Sequence, residues 1–277
     1  MLAWHSFRVA SKGHVVTEEE TDQKSSYPGG SCMTKGEETR QRILDAAQSA
    51  IVKKGFTGTS IDELIHECGL SKGGFFYHFS DKSDLAKALL RRYIQQDEQV
   101  FDQVFARAAS LVDDPLQVFL LGLRFLAEVM GDMPNGHPGC IVAISCYQER
   151  MFDRELRDLN AEAVLLWRKR FRQMLDEIGT RYHTREPVDP DELADMVSTI
   201  LEGGIVLAKA LGDPASLNRQ ILTFRLMIQS LFVPVVDDRS ENSECMEVLR
   251  FNVTERSDPH ARCHLVHVDV TGRVRQQ

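Results

Sequence analysis

The sequence predicts an all-α protein, with a set of short helices at the N-terminal end and a larger helical bundle behind it. Three observations carry this expectation. From Thr39 to Phe232 the apolar residues recur at three- and four-residue offsets, the period of one helix face. Pro115, Pro190 and Pro214 stand where apolar stripes begin. Proline suits a first helical turn because its missing N–H would have no partner there. Gly55, Gly69, the segment 131–139 and Gly212-Asp213-Pro214 interrupt the stripes, as turns do.

The chain of 277 residues has room for one large or two modest domains. Its 43% hydrophobic and 27% charged shares are those of an ordinary globular protein. A net charge of −8 excludes a wholly basic nucleic-acid coat protein, though a local basic patch remains compatible with it. Cys32, Cys68, Cys140, Cys146, Cys245 and Cys263 form no C-x-x-C pair and no zinc spacing with histidine, so reduced thiols and no metal are expected. No apolar run reaches the ~18 residues of a membrane span, and the first residues lack a signal-peptide layout. The reading is a cytoplasmic protein with no membrane partner and no cofactor.

Residues 1–32 are polar and irregular, with Glu18-Glu19-Glu20 and the turn-rich Ser25-Ser26-Tyr27-Pro28-Gly29-Gly30-Ser31, a composition that predicts disorder. Met33-Thr34-Lys35-Gly36-Glu37 resembles the natural beginning of a protein, so the preceding segment reads as a leader or a misassigned start. Ile43, Ala47, Ala50 and Ile51 then share one helix face, closed by Gly55. Ser60-Ile61-Asp62-Glu63 has the form of a capping box opening a short helix to about residue 67. Gly69 suits a turn that needs positive φ, and Ser71 can cap a third helix over 72–79. Ser80 or Asp81 starts a fourth, with Leu85, Ala88 and Leu89 inward. Segments 115–130, 140–150, 157–178, 190–211 and 214–232 read as further helices. After Val233 a polar linker, 237–244, leads to 246–253 and 263–270, which alternate apolar and polar residues with the period of strands. A small β-hairpin and a poorly ordered tail both fit.

Two short helices joined by a glycine turn and backed by a supporting helix form a helix-turn-helix pattern. The third helix sharpens it. Ser71-Lys72-Gly73-Gly74-Phe75-Phe76-Tyr77-His78-Phe79 joins groups suited to phosphate with a poor helix composition. Two successive glycines cost roughly 1 kcal/mol each relative to alanine, a cost that makes sense where another molecule's backbone must approach closely. The Ser71 hydroxyl, the Lys72 ammonium and the helix N-terminus offer hydrogen bonds and positive potential to phosphate. Tyr77 and His78 lie one turn further on. Phe75 or Phe76, paired with Phe79, fits core packing, and Lys53-Lys54 a solvated face.

This string closely resembles the DNA-binding domain of the TetR family of transcriptional regulators. The likeness spans Thr39 to about Leu89 through Ala46-Ala47, Gly55-Phe56, Thr59-Ser60-Ile61, Cys68-Gly69-Leu70-Ser71-Lys72-Gly73, Phe76-Tyr77-His78-Phe79 and Lys82. It implies that the second motif helix enters the major groove, with contacts from Thr59, Ser60, Lys72, Gly73, Gly74, Tyr77, His78 and Lys82. Thr59 has the alternative role of holding the turn before Ser60. Cys68 and Ile65 stand where alanine is more usual, and Phe76 where tyrosine is.

Beyond Leu89 the likeness weakens. The resemblance implies a pocket for a small-molecule effector among the long helices, for which Phe101, Phe105, Phe119, Phe125, Met130, Cys140, Tyr147, Trp167 and Phe171 are candidates. Each taken singly also fits ordinary core. No ligand charge is readable, because the acidic residues are spread over helix faces. Pro138-Gly139-Cys140 places a thiol at a helix start, where the dipole lowers a thiol pKa. Cys140 is therefore also a candidate redox or electrophile sensor, with a small buried hydrophobe as the alternative. Two apolar stripes close the bundle, Leu193 to Ile205 and Ile221 to Leu231, and Gly203-Gly204 admits a close helix. They predict half of a four-helix bundle completed by a second copy, with Met196, Ile200, Gly203, Gly204, Phe224 and Ile228 in the homodimer interface. Twofold symmetry then predicts a palindromic double-stranded operator.

The organisation expected is a leader over 1–32, a three-helix helix-turn-helix DNA-binding domain over 33–82, an effector-binding and dimerisation domain over 83–234, and a tail without assigned role over 235–277. The function expected is a transcriptional regulator, a repressor released from its operator by a small molecule. The alternatives are sensing through Cys140 and ligand-independent DNA binding. An enzyme is not expected: His66-Glu67 lacks the second histidine of H-E-x-x-H, and neither a P-loop nor G-x-S-x-G occurs.

Overall fold

Thr34 opens the first helix with a reciprocal pair of bonds: its N–H donates to Glu37 Oε2 at 2.8 Å, and the Glu37 N–H donates to Thr34 Oγ1 at 3.2 Å. The computed structural model describes residues 34–235 and, in a separate unit that starts at Val236, two short strands. The first unit runs α1 (Lys35–Lys54), α2 (Ile61–Glu67), α3 (Lys72–Phe76), α4 (Lys82–Ala109), α5 (Pro115–Gly131), α6 (Ile141–Tyr147), a 3-10 turn (Glu149–Met151), α7 (Arg154–Gly179), β1 (Tyr182–Thr184), α8 (Pro190–Leu211), α9 (Ala215–Leu231) and β2 (Phe232–Pro234). Asp81, Asp114, Asp153 and Asp189 cap four of these helices through their carboxylates, which answer amides that have no partner within the helix.

Several boundaries differ from the sequence expectation. At Ser60 the capping box is only half formed: its hydroxyl accepts from Glu63 N at 3.2 Å, but the Glu63 carboxylate turns to Lys54 on α1. Helix α3 stops at Phe76, and Tyr77 to Phe79 form the turn into α4. The segment 140–150 breaks because Gln148 leaves the helical region, at φ −117° and ψ 24°. Strands β1 and β2 were not expected; they pair antiparallel, with Tyr182 opposite Pro234 and Thr184 opposite Phe232.

Helix α5 is the centre of the bundle, packed against α4 and α9, while α8 packs against α7 and α9. Leu116, Phe119, Leu120, Leu123 and Leu126 on α5 are all buried, each such burial contributing about 1.5–3 kcal/mol. Ion pairs register the helices. Arg170 of α7 reaches Glu98 Oε2 at 2.6 Å and Asp102 Oδ1 at 2.7 Å on α4. Arg168 makes two bonds to Asp195 of α8, at 2.8 and 2.5 Å. Arg92 of α4 binds Asp45 at 2.7 Å and Gln48 at 2.6 Å on α1. No helix among the described residues is long and apolar enough to cross a membrane.

In the second unit His267–Val268 pairs antiparallel with Val274–Arg275. One arm falls within the expected strand 263–270, but its partner follows it in the chain. The expected strand 246–253 and the leader 1–32 lie outside the described residues.

Candidate nucleic-acid interface and ligand cavity

The turn from α2 into α3 is held from inside. Phe75 and Phe79 are buried, their ring centroids 6.0 Å apart, and Arg40 of α1 lies over Phe79 at 4.8 Å. That anchorage leaves the opposite side of α3 in solvent. Ser71 is exposed, and its hydroxyl accepts from Gly74 N at 3.1 Å. Lys72 is exposed and pairs across to Asp62 of α2 at 3.1 Å, an exposed pair that competes little with a phosphate. Tyr77 is 83% exposed, and its ring meets His78 edge to face at 5.0 Å. His78 also lies beside the start of α1, 4.0 Å from where a Gly36 Cβ would stand.

The two glycines of α3 are not explained by the chain itself. A Cβ at Gly73 would meet Ser71 Oγ at 4.0 Å and nothing nearer; one at Gly74 would find ordinary contacts at 3.4 Å and beyond. Neither has positive φ. Their open side faces outward beside Lys72 and Tyr77. Ser60, Ser71, Lys72, Gly73 and Tyr77 are exposed around the α2–α3 turn, with Gly74 and His78 half-buried beside them.

Two expected contact residues are placed otherwise. Thr59 is 2% exposed and its hydroxyl donates to Gly55 O at 2.9 Å, so it holds the turn before α2. Lys82 is half-buried with its ammonium donating to Phe56 O, and burial pulls its pKa below the ordinary lysine value. Its charge ties the start of α4 to the α1–α2 turn.

The same turn is gripped from the bundle. Gln148 Oε1 accepts from Phe56 N at 2.9 Å and from Thr57 N at 3.4 Å, while the Phe56 ring meets Phe152 edge to face at 4.8 Å. Gly55 has φ 74°, and a Cβ there would stand 2.4 Å from Gln148 Nε2. Only glycine fits under this amide.

Behind Gln148 lies a cavity of about 560 Å³, walled by α4, α6, α7 and α8. Of the expected lining residues, Phe101, Met130, Cys140, Tyr147 and Trp167 are in its wall. Phe105, Phe119, Phe125 and Phe171 are not. Phe105 stacks on Phe119 at 6.0 Å, Phe171 packs on Phe101 at 5.2 Å, and Phe125 lies under Arg107 at 4.0 Å, so these four are core. The sequence reading missed polar members of the wall, Tyr93, Asp97, His137, Ser198, Thr199 and Glu202. The signal for Tyr93 and Asp97 was their i, i+4 spacing toward Phe101 on one α4 face.

Cys140 is the N-cap of α6, accepting from Ala143 N at 3.5 Å. Burial nevertheless pushes its thiol up to about 12, opposite to the direction expected at a helix start. Desolvation outweighs the one backbone bond, and the thiol stays protonated. That direction disfavours a reactive thiolate at Cys140.

On the last two helices the expected interface residues split. Phe224 and Ile228 are 2% and 1% exposed and face the bundle, and a Cβ on Gly204 would stand 2.7 Å from Leu217 Cδ1, so Gly204 serves the α8–α9 contact within the chain. Gly203 is open, and Met196 and Ile200 are half-buried. The apolar face left exposed consists of Val206, Leu207 and Leu211 on α8 with Leu222, Leu226 and Met227 on α9.

Comparison with known proteins agrees with this architecture. Residues 43–89 match the family described as bacterial regulatory proteins, tetR family, and residues 123–224 match the tetracyclin repressor-like C-terminal domain. The transcriptional regulator AcuR of Cereibacter sphaeroides is 25% identical over 184 residues, covering 66% of this chain and 82% of that protein. The HTH-type transcriptional repressor AcnR of Corynebacterium diphtheriae is 27% identical over 183 residues, covering 65% of this chain and 86% of that protein. A solved TetR transcriptional regulator from Chloroflexus aurantiacus shares the fold with a TM-score of 0.60, at 24% identity, covering 74% of this chain and all of that one. With a helix-turn-helix head at one end and a matching helical C-terminal domain behind it, this chain belongs to the TetR family of DNA-binding transcriptional regulators.

Proposed function

We propose that this protein is a repressor, working in the cytoplasm as a homodimer and released from a palindromic operator by a small molecule. Two copies joined through the outward faces of α8 and α9 present two α3 helices to successive major grooves. Ser60, Ser71, Lys72, Gly73, Gly74, Tyr77 and His78 make the contacts, with Met196, Ile200 and Gly203 at the edge of the dimer surface. The observation that carries the reading is the pair of glycines at the start of α3, Gly73 exposed and Gly74 half-buried, a helical stretch thinned where no close contact within the chain requires it.

Release follows from where the cavity lies. Its wall includes Tyr93 and Asp97 on α4 and Tyr147 at the end of α6. Both elements also hold the α1–α2 turn, α4 through Lys82 and α6 through Gln148. A ligand that binds better to one placement of α4 and α6 than to another therefore biases the spacing of the two α3 helices. The open cavity favours this reading over a ligand-independent DNA binder, and AcnR, a relative named as a repressor, supports the sign of regulation.

The test is selection of duplexes from a randomised pool with the full chain, followed by binding across a salt series. A palindromic site whose affinity falls steeply with salt is expected. Retention of no preferred duplex, or an affinity indifferent to salt, would overturn the proposal.

A further inference from the structure

We infer that the cavity takes an organic cation, an ammonium on an aromatic or alicyclic body, with its charge seated between Asp97 of α4 and Glu202 of α8. The inference rests on the effector-cavity reading above and names the chemistry of its occupant. The cavity wall contains two carboxyls and neither lysine nor arginine. Asp97 has no hydrogen-bond or ion-pair partner among the described residues, and Glu202 meets the Cys140 thiol. Asp97 is half-buried and stands in the cavity wall.

No other group in the wall supplies the missing positive charge. Tyr93 on α4 and Cys140 at the start of α6 are both held neutral by burial. His137, in the loop before α6, has its pKa pushed down to about 4 by burial and by the nearby charge of Lys209, so it too is neutral. Glu98, beside Asp97, is turned to Arg170. Burial raises Asp97 well above the ordinary carboxyl value and Glu202 above it, so the empty cavity favours the protonated acids. An entering ammonium reverses that balance: the carboxyl gives its proton to solvent, and the carboxylate left behind pairs with the cation. The faces of Phe101, Trp167 and Tyr93 suit the same charge. An anionic ligand would meet two acids and no donor of positive charge.

Three probes with one body separate the possibilities: 4-phenylbutyltrimethylammonium, 4-phenylbutanol and 4-phenylbutyrate. Binding to the full-length Trp4→Phe chain is read from the fluorescence of Trp167, the tryptophan in the cavity wall. The cation is expected to bind at least about tenfold more tightly than the alcohol, with affinity rising by up to about tenfold per pH unit while one proton is released. D97N and E202Q, which mimic the neutral acids, should each erase most of the preference for the cation over the alcohol. Alcohol or carboxylate binding as tightly as the cation, or a preference surviving D97N and E202Q together, overturns the cationic ligand and leaves the cavity reading standing. Failure of all three probes to reach Trp167 overturns both.

Discussion

Replacing Gly73 by alanine should move stability and DNA affinity in opposite directions. The added methyl meets Ser71 Oγ at 4.0 Å and nothing nearer, so the fold has no steric objection to it. Alanine in place of a helical glycine stabilises by about 0.5–1 kcal/mol, and a domain of this size responds by roughly 1–4 °C in Tm. In the proposed complex the same methyl would stand where the duplex comes close to the backbone. Loss of one well-made contact costs about 1–3 kcal/mol per half-site, and two half-sites double it, an affinity loss of at least roughly thirtyfold. The slope of affinity against salt should be unchanged, because no charge is altered. Differential scanning calorimetry and fluorescence anisotropy with a selected palindromic duplex measure the two quantities. A G73A protein that is more stable and binds as well as the parent would show that α3 does not lie in the groove. One that is less stable would show that the fold itself requires the glycine.

Other substitutions test the remaining parts. Gln148→Ala leaves the Phe56 and Thr57 amides without their acceptor, and their hydrogen-exchange protection should fall by about fivefold, equivalent to the roughly 1 kcal/mol of one such bond; unchanged protection would mean the turn is held by something else. Leu226→Glu places a charge on an apolar face that is 57% exposed at that residue, and light scattering should report a dimer for the parent and a monomer for the variant; a persistent dimer would move the interface elsewhere. His137 has a folded pKa of about 4 against 6.5 for the free side chain, so the unfolded chain takes up the proton first as pH falls. Its contribution is complete above about pH 6.5 and lost toward pH 4, about 3 kcal/mol in all. Urea titrations of the parent and His137→Asn should diverge across that window, and parallel pH profiles would contradict the buried, neutral imidazole.

Much of this protein is written in short-range chemistry. The 190–211 helix follows from a proline in the first turn, an apolar stripe and Gly212, and it appears with those bounds. The α2–turn–α3 unit follows from Ser60, Gly69 and Ser71, because capping and positive-φ turns involve only neighbours in the chain. The exposed string Ser71 to Gly73 was legible for the same reason. Periodicity marks which residues are apolar on a helix but not which neighbour they face. Helix α9 carries apolar residues on two sides, and only packing against α5 and α8 decided that Phe224 and Ile228 turn inward while Leu226 and Met227 stay outside. The cavity is the strongest case. Tyr93, Asp97, His137 and Glu202 lie on two helices and a loop, with more than a hundred residues between the first and the last, and no local rule brings them together. Desolvation depends on everything around a group, so only the tertiary structure shows that burial raises the Cys140 thiol and the Asp97 carboxyl above their ordinary values.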